Sequence, residues 1–368
     1  MATFETSLKS RLIYVFAISD EWHKDCLKVG ETTLEEDDGN FPLPNSEILN
    51  KAACDRIDQY TKTAGIAYTL LHTEMTVFFK GGTISSFNDK QVHSVLERSG
   101  VKKKTFDTVK GANEWFCCDL ETVKKAIHAV KNGQNSLNAS DISHTQTPII
   151  FRPEQQAAID KTKKQFKKGS QMLWNAKMRF GKTLCALRVA RDLDMRRTII
   201  LTHRPVVDEG WFEDFGKIFY DRTDYHYGSR TKGEDFDSLE RLAKKGGKYV
   251  YFASMQDMRG AQLVGGKFDK NNEVFSTEWD FLIVDEAHEG TRTELGEAVI
   301  KELTKVNTKV LKLSGTPFNL LDDYTEEETY TWDYTMEQRA KTEWDLLHMG
   351  DPNPYASLPA INIYTYDL

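Results

Sequence analysis

The chain has 368 residues, a net charge of -7, and 39% hydrophobic and 29% charged residues, an ordinary globular composition with room for two or three domains. The acidic balance excludes a protein that coats nucleic acid by bulk attraction, so any nucleic-acid contact must run through local grooves. No apolar run reaches bilayer length, Glu5 precedes the short run at 12–18 where a signal peptide would carry cations, and Cys26, Cys54, Cys117, Cys118 and Cys185 show no metal-ligand spacing; a cytoplasmic protein with reduced thiols, no zinc and no membrane partner is expected.

In chain order, apolar runs at 12–18 and 27–29 predict strands, 48–60 predicts a helix and 67–79 a third strand. A helix at 89–98, a short strand at Trp115-Phe116 and a helix at 120–130 complete a small α/β unit, residues 1–131. The segment 132–149 is rich in Asn, Ser and Thr and has no apolar period, so it reads as a linker. From 150 to 320, apolar strands at 172–174, 198–201, 249–252, 281–284 and 310–313 alternate with helical stretches, the pattern of a parallel sheet with helices on both faces. An acidic, aromatic extension occupies 321–368; its alternating run at 361–366 reads as a strand that ends as though cut, and the chain is expected to continue beyond Leu368.

Ala176-Lys177-Met178-Arg179-Phe180-Gly181-Lys182-Thr183 follows a predicted strand and opens a predicted helix, the setting in which such a loop cradles phosphates. Backbone N–H groups around Gly181 can point at the phosphates, Lys182 can neutralise the β- and γ-phosphates of ATP, and the Thr183 hydroxyl can hold Mg2+. Ala176 replaces the usual first glycine. The apolar run 281–284 leads straight into Asp285-Glu286-Ala287-His288, which places two carboxylates at the C-terminal end of a buried strand, where open α/β sheets bind ligands. Asp285 would hold magnesium through water and Glu286 would orient and deprotonate the attacking water.

These strings, in this order, resemble a superfamily-two helicase of the DEAH-box kind, closest to the motor subunits of restriction enzymes, over roughly 151–319. The resemblance implies a RecA-like domain in which Phe151-Arg152-Pro153-Glu154-Gln155 reads adenine, with Arg152 and Gln155 at the nucleotide. It implies that Thr202 and Arg204, after the strand at 198–201, and Ser254 and Gln256, after that at 249–252, grip the nucleic-acid backbone. His288, Ser314 and Thr316, the last two within Ser314-Gly315-Thr316-Pro317, would couple hydrolysis to strand movement. Such motors hydrolyse ATP between two RecA-like halves, the second bringing arginines to the γ-phosphate. After Pro317 the sole arginine is Arg339, in an acidic stretch. A second half, in cis or from a partner subunit, is therefore expected, and hydrolysis without it is expected to be poor.

In the N-terminal unit, Tyr14, Lys28, Arg56, Asp89, His93 and Glu114 supply a phenol, two cations and carboxylates. Such a set could cleave a phosphodiester, with Tyr14 or a water it polarises attacking, Arg56 on the phosphate and Asp89 on a divalent metal. The same residues also read as a core tyrosine, a solvated helix arginine and an edge strand. Their order resembles the GIY-YIG nuclease family, in the branch whose second motif is Lys28-Val29-Gly30 and whose last is Glu114-Trp115-Phe116. The resemblance implies Tyr14, Arg56 and Asp89 as catalytic tyrosine, phosphate-binding arginine and metal ligand. Lys28 stands where many members have a second tyrosine, Asp89 is one methylene shorter than the usual glutamate, His93 supports the helix or touches substrate, and Glu114 is an alternative metal ligand.

The expectation is an ATP-dependent DNA helicase or translocase with an N-terminal metal-dependent endonuclease, of restriction or phage-defence type. Its rivals are a motor with a non-cleaving DNA-recognition domain and a non-enzymatic ATP-binding adaptor.

Overall fold

The computed structural model describes residues 10–34, 41–80, 82–106, 114–138, 141, 149–203, 205–287, 293–316, 320–348, 352–356 and 358. The chain divides into two compact units, one of Met1–His144 with Thr231–Ser238, the other of Thr145–Arg230 with Leu239–Leu368.

The first unit is an antiparallel sheet of β1 (Arg11–Ala17), β2 (Leu27–Thr33), β3 (Thr69–Met75) and β6 (Trp115–Phe116), ordered β3-β1-β2-β6, beside a hairpin of β4 (Val77–Lys80) and β5 (Thr83–Ser86). The strand expected over 67–79 is thus two strands, broken at Thr76, whose backbone and side chain both bond to the Arg11 carbonyl. Strand β1 is hydrophobic from Leu12 onward because both sheet faces are covered. Ile13 and Val15 meet α2 (Asp89–Arg98) and α3 (Leu120–Asn132), while Leu12, Tyr14 and Phe16 meet α1 (Glu47–Thr61). Helix α2 starts at a capping box between Asn88 and Gln91, and α3 ends at Gly133 in the left-handed region, φ 72°.

Residues 133–138, expected to begin a linker, are held in this unit. Leu137 is buried in the α2–α3 core, and the backbone N–H groups of Asn135 and Ser136 donate to the Glu234 carboxylate. Composition hides this, since the partner, Glu234, is 98 residues away from Ser136.

The second unit is a seven-stranded, wholly parallel sheet flanked by helices. In chain order come α4 (Pro153–Gln165), β7 (Gln171–Ala176), α5 (Lys182–Asp192), β8 (Arg197–Thr202), α6 (Asp208–Phe219), β9 (Tyr225–Gly228), α7 (Phe236–Lys244, in this unit from Leu239 onward), β10 (Lys248–Ser254), α8 (Met255–Met258), α9 (Asn272–Ser276), β11 (Phe281–Val284), α10 (Glu294–Leu303), β12 (Lys309–Ser314), β13 (Thr329–Trp332) and α11 (Tyr334–Leu347). The sheet order is β13-β7-β12-β11-β8-β10-β9. The central strands β7, β8, β11 and β12 bury aliphatic runs, as parallel strands covered on both faces do. Strand β13 and helix α11 lie inside the stretch expected as an acidic extension, where Glu326-Glu327-Glu328 masks the alternation of Thr329-Tyr330-Thr331-Trp332. The run at 361–366 lies outside the described residues.

No helix among the described residues is long and apolar enough to cross a membrane.

Candidate functional site

The loop between β7 and α5 lies at the C-terminal edge of the parallel sheet, where ligands meet open α/β folds. Gly181 caps α5 with φ 92°, a region that L side chains rarely enter, and a Cβ there would stand 2.7 Å from the Gln155 amide nitrogen. Lys182 donates its ammonium to the Ala176 carbonyl at 3.0 Å, closing the loop, and Thr183 follows in the first turn of α5. Ala176 itself is buried at the end of β7.

Helix α4 grips this loop from its own N-terminus. The carbonyl of Phe180 accepts from the Gln155 amide at 2.6 Å and from the Arg152 guanidinium at 3.0 Å, while the Gln155 oxygen accepts from the Arg152 backbone N–H at 2.8 Å. Gln155, expected to offer its amide to a base, thus has both ends engaged within the protein and ties α4 to the loop. Arg152 also pairs with Glu154, which accepts a further bond from the Tyr355 hydroxyl at 2.7 Å.

Strand β12 lies between β7 and β11, so its end meets both the loop and the acidic pair. A Cβ on Gly315 would be 3.8 Å from the Ala176 carbonyl and 3.9 Å from the Lys182 ammonium, and the Ala287 N–H donates to Leu313. Ser314 is fully buried and its hydroxyl accepts from the Thr316 N–H at 3.2 Å. Burial pushes the Asp285 carboxyl above its usual range and the charge of the neighbouring Glu286 adds to this; the Glu286 backbone N–H, which donates to it at 3.0 Å, Lys182 and the nearby Trp211 side chain pull it back. Trp211, buried on α6, is a site residue that no local sequence pattern marks. Glu286 has φ 47°, left-handed and strained for a non-glycine residue, the kind of cost that gathers at functional sites.

Thr202 and Ser254, expected at nucleic acid, are register partners at the ends of β8 and β10. Both are buried, and the Ser254 hydroxyl caps α8 by accepting from the Asp257 N–H. Gln256 is exposed on α8. Arg204 and His288 lie outside the described residues. Arg339 is paired with Glu343 along the exposed face of α11.

In the first unit, Tyr14 lies within hydrogen-bonding reach of Arg56 and Tyr60, and Lys28 lies 4.6 Å from the Tyr60 ring centroid and 3.4 Å from Glu114. Burial raises the Tyr14 hydroxyl pKa. Gly30 is the register partner of Tyr14, and a Cβ there would fall 2.7 Å from the phenol oxygen. Tyr60 was not singled out from sequence, although its place four residues after Arg56 puts both on one face of α1. Asp89 does not join this group. It starts α2, which packs on the Ile13 face, and its backbone N–H donates to Glu31 at 3.3 Å; among the described residues it makes no hydrogen bond or ion pair with Tyr14, Lys28, Arg56 or Glu114. The carboxylate in the cluster is Glu114. His93 is buried, with its Nε2 on the Val29 carbonyl at 2.8 Å, a supporting role.

A wholly parallel sheet flanked by helices, with a glycine-capped loop, an acidic strand end and a small-residue strand end between them along one edge, is a RecA-like α/β fold. Residues 148–319 match the family described as ResIII, type III restriction enzyme, res subunit. A putative type II restriction enzyme and methyltransferase C-terminus from Mycoplasma pneumoniae is 26% identical over 262 residues, covering 59% of this chain. The match spans 35% of that relative's length. Similar solved structures include the Sulfolobus solfataricus SWI2/SNF2 ATPase core in complex with dsDNA (16% identity, 51% of this chain and 36% of that one, TM-score 0.36). The type ISP restriction-modification enzyme LlaBIII bound to DNA shows 18% identity over 49% of this chain and 14% of its own, TM-score 0.34. The UvsW helicase from bacteriophage T4 shows 12% identity over 58% and 77%, TM-score 0.35.

Proposed function

We propose that the chain is the ATP-driven motor of a DNA restriction enzyme, with the second unit binding ATP and Mg2+ and the first cutting DNA. The observation that carries the motor reading is the convergence of Lys182, Asp285 and the glycine backbone of Gly181 and Gly315 at one sheet edge. The residues fit the ligand: the two glycines leave room for phosphates, Lys182 supplies charge, and Thr183 and Asp285 supply oxygen ligands for magnesium. Magnesium, when bound, supplies charge neutralisation on the transferred phosphoryl group. Glu286 is the residue to orient water. Thr202, Arg204, Ser254 and Gln256 are assigned to the DNA backbone, and His288, Ser314 and Thr316 to coupling. An arginine from a second RecA-like half, in cis or in a partner subunit, is assigned to the γ-phosphate, because Arg339 is paired with Glu343. The full chain should bind a fluorescent ATP analogue, and DNA should raise its phosphate release; absence of nucleotide binding overturns the motor reading.

For the first unit, Tyr14, Lys28, Arg56 and Glu114 are the residues assigned to phosphodiester cleavage. A second reading, a DNA-recognition unit that does not cut, is favoured by the raised Tyr14 hydroxyl pKa and by the place of Asp89 on the other sheet face.

A further inference from the structure

We propose that Glu337 is a positioning residue of the phosphate loop, acting through Lys177, so that β13 and α11, beyond the family match at 148–319, belong to the nucleotide site. The proposal rests on the reading of 176–183 as that loop. Strand β13 pairs with β7 so that Trp332 lies opposite Ala176, and the Lys177 N–H continues the ladder onto the Trp332 carbonyl at 3.0 Å. Helix α11 starts two residues later, capped by Asp333, and one turn in it presents Glu337 to the Lys177 ammonium. Glu337 has no exposed surface, and the ammonium also lies 5.2 Å from the Tyr334 ring centroid.

The pair sits next to the peptide on which the loop turns. The Ala176 carbonyl holds the Lys182 ammonium, and the following residue, Lys177, is held by backbone and side chain to the β13–α11 segment. Lys177 therefore anchors the loop, with its charge directed to Glu337. A desolvated ion pair that loses one partner leaves the other buried and uncompensated, and the side chain that relieves this by moving to water is Lys177, on its loop. The second Glu337 oxygen has no partner among the described residues, so the carboxylate is held in place chiefly by Lys177.

The test uses the full chain. Glu337→Gln and Lys177→Met should each weaken ATP and ADP binding about tenfold or more, where tenfold corresponds to about 1.4 kcal/mol. The double variant should be no weaker than the worse single one, because both substitutions break one interaction. Binding of adenosine, which has no phosphates, should be unchanged in all three; a merely structural defect would weaken adenosine alike. Far-UV circular dichroism checks folding, and if Glu337→Gln does not fold, Lys177→Met alone carries the comparison of ATP with adenosine. A folded Glu337→Gln, or a Lys177→Met, with wild-type ATP affinity overturns the proposal, as do losses that multiply in the double variant. A wild-type chain that binds no nucleotide overturns the phosphate-loop reading and the proposal with it.

Discussion

The ammonium of Lys182 donates to the carbonyl oxygen of Ala176 at 3.0 Å, so the proposed phosphate loop is closed by its own lysine. Binding a phosphate exchanges this neutral acceptor for an anionic one, and charge-assisted bonds are about twice as strong. Lys182→Ala is expected to weaken ATP binding about ten- to a hundredfold, since a hydrogen bond to a charged group contributes about 1.5–3 kcal/mol. Calorimetric titration measures this, and unchanged affinity means that the loop has been misassigned.

Gly181→Ala is expected to damage the loop for two separable reasons. The left-handed φ of 92° costs about 1–3 kcal/mol for a residue with a Cβ. That Cβ would also stand 2.7 Å from the Gln155 amide, which cannot swing aside without releasing the Phe180 carbonyl. Both ATP affinity and melting temperature should fall. Adding Gln155→Ala should recover part of the affinity by removing the clash; no recovery would assign the whole effect to backbone strain.

Much of the placement of the candidate motor site was legible because its parts are local. The strand at 281–284 and the acidic pair after it, or the loop between β7 and α5, are each one continuous string whose flanking pattern fixes its placement. What escaped were partners brought from afar: Trp211 on Asp285, Glu337 on Lys177, and Glu234 on the backbone of Asn135 and Ser136. Neither periodicity nor composition encodes such pairings. Strand β9, Tyr225-His226-Tyr227-Gly228, escaped because its buried residues are aromatic and polar, without an aliphatic run. Asp89 was placed with Tyr14 and Arg56 by the order of the motifs, and order along the chain does not say which sheet face a helix covers.

In the proposed nucleotide site, Asp285 is expected to bring sensitivity to pH. Its carboxyl is held above the usual range by burial first and Glu286 second. In folding, a raised value means stability that is fully present below the unfolded pKa and lost as pH rises through the folded one. Metal binding has the opposite sign, because it needs the carboxylate. Affinity for Mg-ATP is therefore expected to fall as pH is lowered through the raised value, starting at a higher pH than an ordinary aspartate gives. Asp285→Asn should bind Mg-ATP more weakly and with a flatter pH profile. A wild-type profile that stays flat through the mildly acidic range argues against Asp285 as the metal ligand.

Leu137 decides whether 133–138 acts as linker or as core. It is buried with α2 and α3, so Leu137→Ala should destabilise the first unit by about 2–5 kcal/mol, as large-to-small core changes do. Hydrogen exchange of the amides in α3, measured in the full chain, reports on that unit separately. Unaltered protection would return the segment to a linker.

The last prediction concerns cleavage by the first unit. A phosphodiester resists attack because its negative charge repels the nucleophile and grows in the transition state, so a cutting site needs cations at the phosphate. Arg56 and Lys28 supply them, beside Tyr14 and Tyr60, and Glu114 is the carboxylate within this group. With Mg2+ or Mn2+ the full chain should nick or cut DNA, and Arg56→Ala should abolish cutting while ATP binding by the phosphate loop is retained. The carboxylate variants then choose the metal ligand. Loss with Glu114→Ala but not Asp89→Ala follows the geometry; the reverse result means that Asp89 reaches the substrate across the sheet edge. If Arg56→Ala and both carboxylate variants cut as well as the wild type, the cluster is not a nuclease site. If the wild type cuts no DNA, modified or unmodified, and neither Glu114 nor Asp89 contributes to divalent-metal binding in a titration, the recognition reading stands. Tyr60→Phe separates the two phenols: with its hydroxyl gone, Tyr14 loses a hydrogen bond that lowers its pKa, so the pH at which cutting is half-maximal should rise. An unshifted profile means that Tyr14 does not ionise during cleavage.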